Sequence, residues 1–399
     1  MNLQHYKFVI GSGCSYATTL SSLENKLLNV KLDTSDNLIF IEVGCASQSS
    51  DWAHDSIRYI VDKLFSIGVK SENIYCFVEW TQIERITITQ PTILHEFFNT
   101  HSWREKLDRH FYIKSNVVDS NSIINLLYSI MNVKMLQDVH NVMSIENLWY
   151  INPTHTDKND IIRFDNIDLE LSYNEMLEYE LRIPIETRVK TYLNNIINLQ
   201  TYLKSNQISY NFVPMQSQFS GWDIDSNYMH VHKYTLNQNK PAYFYNDKLR
   251  INNNFKETLN INSADDLIEV FPQFKYLINQ IDFNHWWFHT SDFYRYGGID
   301  EYALDNYGLY GYLSTGYDIR NTDNIDITRI VPSFGYHPNA FIHVLLVNEM
   351  MFSNKFFKVS TETIDNIKTM VDEDINSKNR TKHNLAISKN EIEKYIKLI

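Results

Sequence analysis

The feature that most constrains this chain is a rhythm near its N-terminus, in which short apolar runs each end in a turn of small residues. Residues 6–10 (YKFVI) lead into GSGCS, residues 38–43 (LIFIEV) lead into GCASQSS, and residues 74–78 (IYCFV) form a third run. Strands apolar on both faces must be covered on both, and parallel neighbours need a crossover between them. Between the second and third runs, Ile57, Ile60, Val61 and Leu64 recur at helical spacing. Ser49 or Ser50 suits the N-cap of that helix and Gly68 its end. The expected architecture is therefore α/β, a three-layer α/β/α sandwich with a parallel sheet.

The rhythm then breaks twice. From Ile86 to Arg188 the chain is polar and helix-biased, without strand alternation. It resumes with Val189, Tyr192, Leu193, Ile196, Ile197 and Leu203 on one helical stripe, followed by a fourth strand at 208–213 (ISYNFV). From Met215 to about Ile330 it is irregular again, and one helix from His337 to Phe352 closes the α/β part. One interrupted fold accounts for the 399 residues better than separate domains. Residues 1–85, 189–215 and 331–356 form the core, 86–188 a helical insertion, 216–330 an aromatic-rich insertion, and 357–399 a polar linker with a C-terminal docking helix. That last helix opens with a capping box, Ser388 to Glu391, and carries Ile392, Tyr395, Ile396 and Ile399 on one stripe. Two turns are not stable alone, so it docks on its own domain or on a partner protein.

Charge and composition exclude several classes. Lys+Arg number 36 against 48 Asp+Glu, a net charge of −12, which argues against a nucleic-acid binder that tracks phosphates. Three cysteines are too few for a disulfide framework or a zinc knuckle. No apolar run approaches a membrane span and no signal-peptide core is visible, so the expected setting is the cytoplasm or a virus particle, without a membrane. Aromatic residues reach 14% and crowd the stretch from Phe283 to Tyr312. That block, with Trp286 and Trp287, reads as a sugar-stacking platform, a protein interface or an inserted core.

The turn after the first strand has three readings. Gly11-x-Gly13 begins a dinucleotide fingerprint, with Glu42 available for a ribose, but Tyr16 stands where a third glycine is required. No Gly-Lys-Ser/Thr ending makes a phosphate loop. Ser15, in Gly13-Cys14-Ser15-Tyr16, is either a nucleophile at a strand's C-terminal end or the cap of the next helix. Far along the chain His337 precedes Pro338 where a loop feeds the last helix, a stiff setting that suits a general base. His285 and His289, with Asp292, have helical metal-ligand spacing, yet so aromatic a segment favours packed histidines, and no metal or other cofactor is expected. His230 and His232 have no companions.

These blocks resemble, in order and strand context, the SGNH or GDSL-type hydrolases. Gly13-Cys14-Ser15-Tyr16 is similar to the first block, with Cys14 in place of Asp; Gly44 matches the second; Glu79-Trp80-Thr81-Gln82 falls on the third, with Thr81 in place of Asn; Phe334-Gly335-Tyr336-His337-Pro338 falls on the last, without its Asp. Divergent members from large tailed bacteriophages are more similar still, through Gly-Cys-Ser, Trp80-Thr81 with Arg85, Gly297-Gly298-Ile299 and His337-Pro338.

The resemblance implies a flavodoxin-like sheet order and a serine esterase or deacetylase, acting on acylated glycans and associated with a virus particle. Ser15 would be the nucleophile and His337 the base. Ser15, Gly44 and Thr81 would form the oxyanion hole. Read from the residues themselves, Arg85 binds an acidic substrate group or pairs with a surface carboxylate, and Trp286 and Trp287 are candidates for binding substrate. The departures keep an alternative open, a catalytically degenerate protein of the same fold that serves as a structural or adaptor part of a phage particle, held to its neighbours by the C-terminal helix.

Overall fold

In the computed structural model the described residues are 3–13, 30–44, 49–81, 111–116, 120–131, 161–163, 170–172, 185–215, 272–289, 297–299, 302–303, 306, 313–314, 331–332, 340–350 and 355–377. The first part of the chain supplies β1 (Tyr6–Ser12), β2 (Leu32–Asp33), β3 (Asn37–Val43), α1 (Ser50–Ser66) and β4 (Ile74–Trp80). The middle supplies β5 (Phe111–Ser115), α2 (Asn121–Ile130), β6 (Ile161–Arg163), β7 (Glu170–Ser172), α3 (Ile185–Ser205) and β8 (Ser209–Pro214). The last part supplies α4 (Lys275–Ile278), β9 (Leu313–Ser314), β10 (Val331–Pro332), α5 (Ala340–Met350), β11 (Lys358–Val359) and α6 (Thr361–Ser377).

Five strands form the main sheet, in the order β5-β3-β1-β4-β8. β3, β1, β4 and β8 are parallel, as their continuous apolar character requires, and β5 runs antiparallel on β3. This corrects the all-parallel expectation. β5 lies in a stretch that showed no strand rhythm, because only Ile113 of FYIKS is buried and an edge strand needs little apolar signal.

Alternation along the strands divides the core in two. Phe8, Ile10, Ile39, Ile41, Ile74, Cys76, Val78, Trp80, Tyr210 and Phe212 point to a face covered by α1, α2 and α3. Val9, Leu38, Phe40, Tyr75, Phe77, Val213 and Met215 point to the other face, covered by α5 and α6. α1 follows its sequence signals closely. The Ser49 hydroxyl accepts from the Asp51 N–H, Gly68 closes the helix at φ +85°, and Trp52, Ile57, Ile60, Val61 and Leu64 are buried. Each such side chain contributes about 1.5–3 kcal/mol.

α5 is buried on nearly all sides through Ile342, Val344, Leu345, Leu346 and Val347, because α6 packs on its outer side with Ile364, Ile367 and Val371. The core therefore continues beyond residue 356. Residues 361–377, expected to begin a polar linker, form a helix whose apolar stripe is sparse and interrupted by acids. β11 pairs with β2 just before it and ties this end of the chain to the base of β3. The residues of the C-terminal docking helix, 385–399, lie outside the described residues. Among the described residues, no helix is long and apolar enough to cross a membrane.

Candidate functional site

Parallel α/β sheets present their sites beyond the carboxyl ends of the strands, where the connections diverge from a central strand. Here β1 is that strand, with β3 on one side and β4 on the other. Their registers are fixed by ladders that pair Gly11 with Glu42 and Ser12 with Val78. Gly13, Gly44 and Thr81 follow directly on β1, β3 and β4, so three of the turn positions singled out in the sequence end adjacent strands at one edge. Ser15, Arg85 and His337 lie outside the described residues.

Local contacts hold this edge. The Trp52 indole donates to the Val43 carbonyl at 2.8 Å, anchoring the start of α1 beside Gly44. The Ser12 and Ser56 hydroxyls meet at 2.5 Å, joining the end of β1 to the middle of α1. The Asn195 amide donates to Ser50 Oγ at 3.0 Å and to Asp51 Oδ1 at 2.9 Å, bringing α3 against the first turn of α1. The Met215 N–H donates to the Trp80 carbonyl at 2.8 Å and carries the β4–β8 pairing to its last residue.

Gly13 is required where it stands. Its φ is +154°, and a Cβ added to it would lie 2.6 Å from Glu79 Cβ, 2.8 Å from the Glu79 carbonyl oxygen and 3.0 Å from Glu79 Oε2. Glu79 is fully buried and Glu42 is 2% exposed. By strand alternation both acids share the α5 face with Gly11 and Gly13. Asn211, also fully buried, lies on the same face and accepts a hydrogen bond from the Tyr75 hydroxyl. This edge is therefore small and polar on one face of β1, in an otherwise apolar layer.

The opposite face is apolar to its end apart from the paired Ser12 and Ser56 hydroxyls. The Trp80 ring packs edge-on against Tyr192 and Phe212, at centroid distances of 5.9 and 5.3 Å, and stacks on Trp286 at 6.5 Å. Trp286 is 5% exposed and bridges to Phe212 beside β8, so its ring belongs to the core column. Trp287 is half-buried, its N–H donates to the Phe212 carbonyl, and its ring meets Tyr302 at 5.9 Å. This end of the aromatic block is thus largely inserted core.

The His285 ring stacks on Tyr210 at 4.2 Å, while the His289 ring packs edge-on against Tyr302 at 5.6 Å. Among the described residues no three His, Cys, Asp or Glu side chains form a metal-holding group. Asp292, His230 and His232 lie outside those residues. Burial pushes the Cys76 thiol far above its usual range, so it is a packing residue and not a nucleophile.

The remaining polar group at the edge is the Thr81 hydroxyl. It is fully buried and has no hydrogen-bond partner among the described residues. An unmet buried hydroxyl costs about 1–3 kcal/mol. Gly44 stands across β1 from it, two strand spacings or roughly 10 Å away. Sequence reasoning had not marked Glu79 or Arg188, 7% exposed near the start of α3. The available signal for Glu79 was an acid interrupting the apolar run IYCFVEW. Compared with known proteins, the chain matches no family model, no curated protein and no solved structure.

Proposed function

We propose that the protein is a serine hydrolase of the SGNH type, an esterase or deacetylase that removes acyl groups from glycans. The observation that carries this reading is the buried Thr81 hydroxyl, without a hydrogen-bond partner among the described residues and set with Gly44 and Gly13 at the carboxyl ends of three adjacent strands. A hydroxyl donor on one side and a backbone N–H on the other suit an oxyanion that develops between them. The glycan substrate and the setting in a phage particle rest on the sequence resemblance.

In this mechanism the Ser15 oxygen attacks the ester carbonyl carbon while His337 takes the hydroxyl proton. The tetrahedral oxyanion accepts hydrogen bonds from the Ser15 N–H, the Gly44 N–H and the Thr81 hydroxyl. His337 then returns the proton to the departing alcohol, and water repeats the sequence to release the acid. The test is hydrolysis of nitrophenyl acetate by the wild-type protein and by Ser15→Ala, with fluorophosphonate labelling. Turnover in wild type, a loss on the order of 10⁴-fold or more in the variant, and labelling at Ser15 are expected. No turnover and no labelling in wild type would overturn the reading and leave the adaptor alternative.

A further inference from the structure

We propose that Trp52 is a positioning residue for the oxyanion hole, an inference that rests on the hydrolase reading above. It acts through the peptide that joins Val43 to Gly44. The Trp52 indole N–H donates to the Val43 carbonyl oxygen at 2.8 Å, and both residues are 1% exposed. That carbonyl and the Gly44 N–H belong to one planar unit. In a trans peptide the two point in opposite directions, so a bond that fixes the carbonyl also fixes the direction of the N–H. With the carbonyl turned to the indole, the N–H is turned away from it.

The β1–β3 pairing ends at Gly11 and Glu42 and the β3–β5 pairing at Val43, so Gly44 lies beyond both ladders. The chain comes back nine residues later, in the first turn of α1, to bond the last carbonyl of β3. The helix that does so is itself anchored. The Ser49 hydroxyl caps its start, and the Asn195 amide of α3 donates to Ser50 Oγ and Asp51 Oδ1. One turn after Trp52, the Ser56 hydroxyl meets that of Ser12 at 2.5 Å. Trp52 and Ser56 are about 6 Å apart along the helix axis, close to the spacing of about 4.8 Å between neighbouring strands. One helix therefore holds the ends of β1 and β3, the strands that lead to Ser15 and to Gly44.

The bond also bears on the strength of the donor. A carbonyl that accepts a hydrogen bond polarises its peptide and strengthens the bond its N–H can donate, by roughly 10–30%. The surroundings are buried, where such an effect is least screened by water. Burial of an indole at this edge does not by itself bring its nitrogen a partner. The Trp80 ring is fully buried at the end of β4, and its N–H has no hydrogen-bond partner among the described residues. Trp52 differs in that its nitrogen is spent on the peptide that carries a proposed oxyanion donor.

The test compares wild type, Trp52→Phe and Ile57→Val in full-length protein with nitrophenyl acetate, reading kcat and KM separately. Trp52→Phe keeps an aromatic ring and loses the donor, whereas Ile57→Val loosens the buried face of the same helix and leaves the donor in place. A misdirected oxyanion donor costs turnover rather than binding. Trp52→Phe is therefore expected to lower kcat by about 10–100-fold while KM stays within about twofold. Ile57→Val should keep kcat within about threefold of wild type. If Trp52→Phe also stays within about threefold while Ser15→Ala is inactive, the inference fails and the hydrolase stands. Equal losses in the two variants overturn it as well, because helix packing would then account for both. A wild type that neither turns over nor labels with fluorophosphonate removes both readings. Should Trp52→Phe not fold, NMR of isotope-labelled wild type decides. On fluorophosphonate labelling, the Gly44 amide proton and the Trp52 indole proton should both move downfield, since a bond at one end of a peptide strengthens the bond at the other. An indole resonance that stays in place overturns the inference.

Discussion

The two faces of the sheet are built from the same strands yet end differently. On the α1/α3 face the buried set is apolar through Val43, Val78 and Trp80, with Ser12 the polar exception, its hydroxyl met by Ser56 of α1. On the α5 face the apolar set, Val9, Phe40 and Phe77, gives way at the carboxyl edge to Gly11, Glu42, Gly13, Glu79 and Thr81. Burial is as complete there, so the change is not one of solvent access. An apolar side chain at those positions would raise stability at lower cost than a buried acid or an unmet hydroxyl. The difference teaches that one face is built for packing, its buried hydroxyls at Ser12 and Ser56 meeting each other, while the other gives up packing where a site is proposed.

The largest expected effect lies on the packed face. Trp80→Ala removes the ring shared by Tyr192, Phe212 and Trp286 and should lower unfolding free energy by about 3–5 kcal/mol in denaturant titration. A loss under about 1 kcal/mol would mean that this face is not the rigid layer described. Gly13→Ala comes next. Its new methyl must displace Glu79 backbone and side chain, and destabilisation by about 2–3 kcal/mol is expected. A neutral result would show that the two strands separate easily at the edge, and the contrast between the faces would weaken.

The smallest effect tests the polar rim of the packed face. The Lys204 ammonium hydrogen bond, with help from the Asn284 N–H, holds the Asp282 carboxyl below the usual carboxylate range. A pKa lowered by folding adds stability that is present above the unfolded value, near 4, and fades as pH falls through the folded one. Asp282 is half-buried and its Lys204 partner is exposed, so solvent screens the pair and Asp282→Asn should cost no more than about 1 kcal/mol at pH 7. The difference from wild type should be smaller at pH 3 than at pH 7. Thermal melts at the two pH values check the sign, and a difference that grows in acid would contradict it.

How much was legible follows from what each signal depends on. The strand–turn–helix rhythm exposed β1, β3, β4 and β8, because a strand buried on both faces must be apolar along its whole length. α1 was legible from its cap and stripe. β5 was not, since an edge strand with one buried residue carries almost no pattern. α6 was missed for a related reason, its buried apolar residues, Ile364, Ile367 and Val371, being scattered among acids. At the candidate site, Gly44 and Thr81 were marked through the family resemblance, and the structure sets both directly after strands. Glu79 was passed over because one acid in an apolar run does not say which neighbour it meets.

The sequence by itself determined the layered α/β plan, the turns at which strands end and the acidic balance, all of which depend on local pattern or composition. Only the tertiary structure decided that Trp286 belongs to the core, that β5 closes one edge in reverse, and that Glu79 lies over Gly13. These facts join residues far apart in the chain, and the pairing register that brings them together is a property of the packed sheet as a whole.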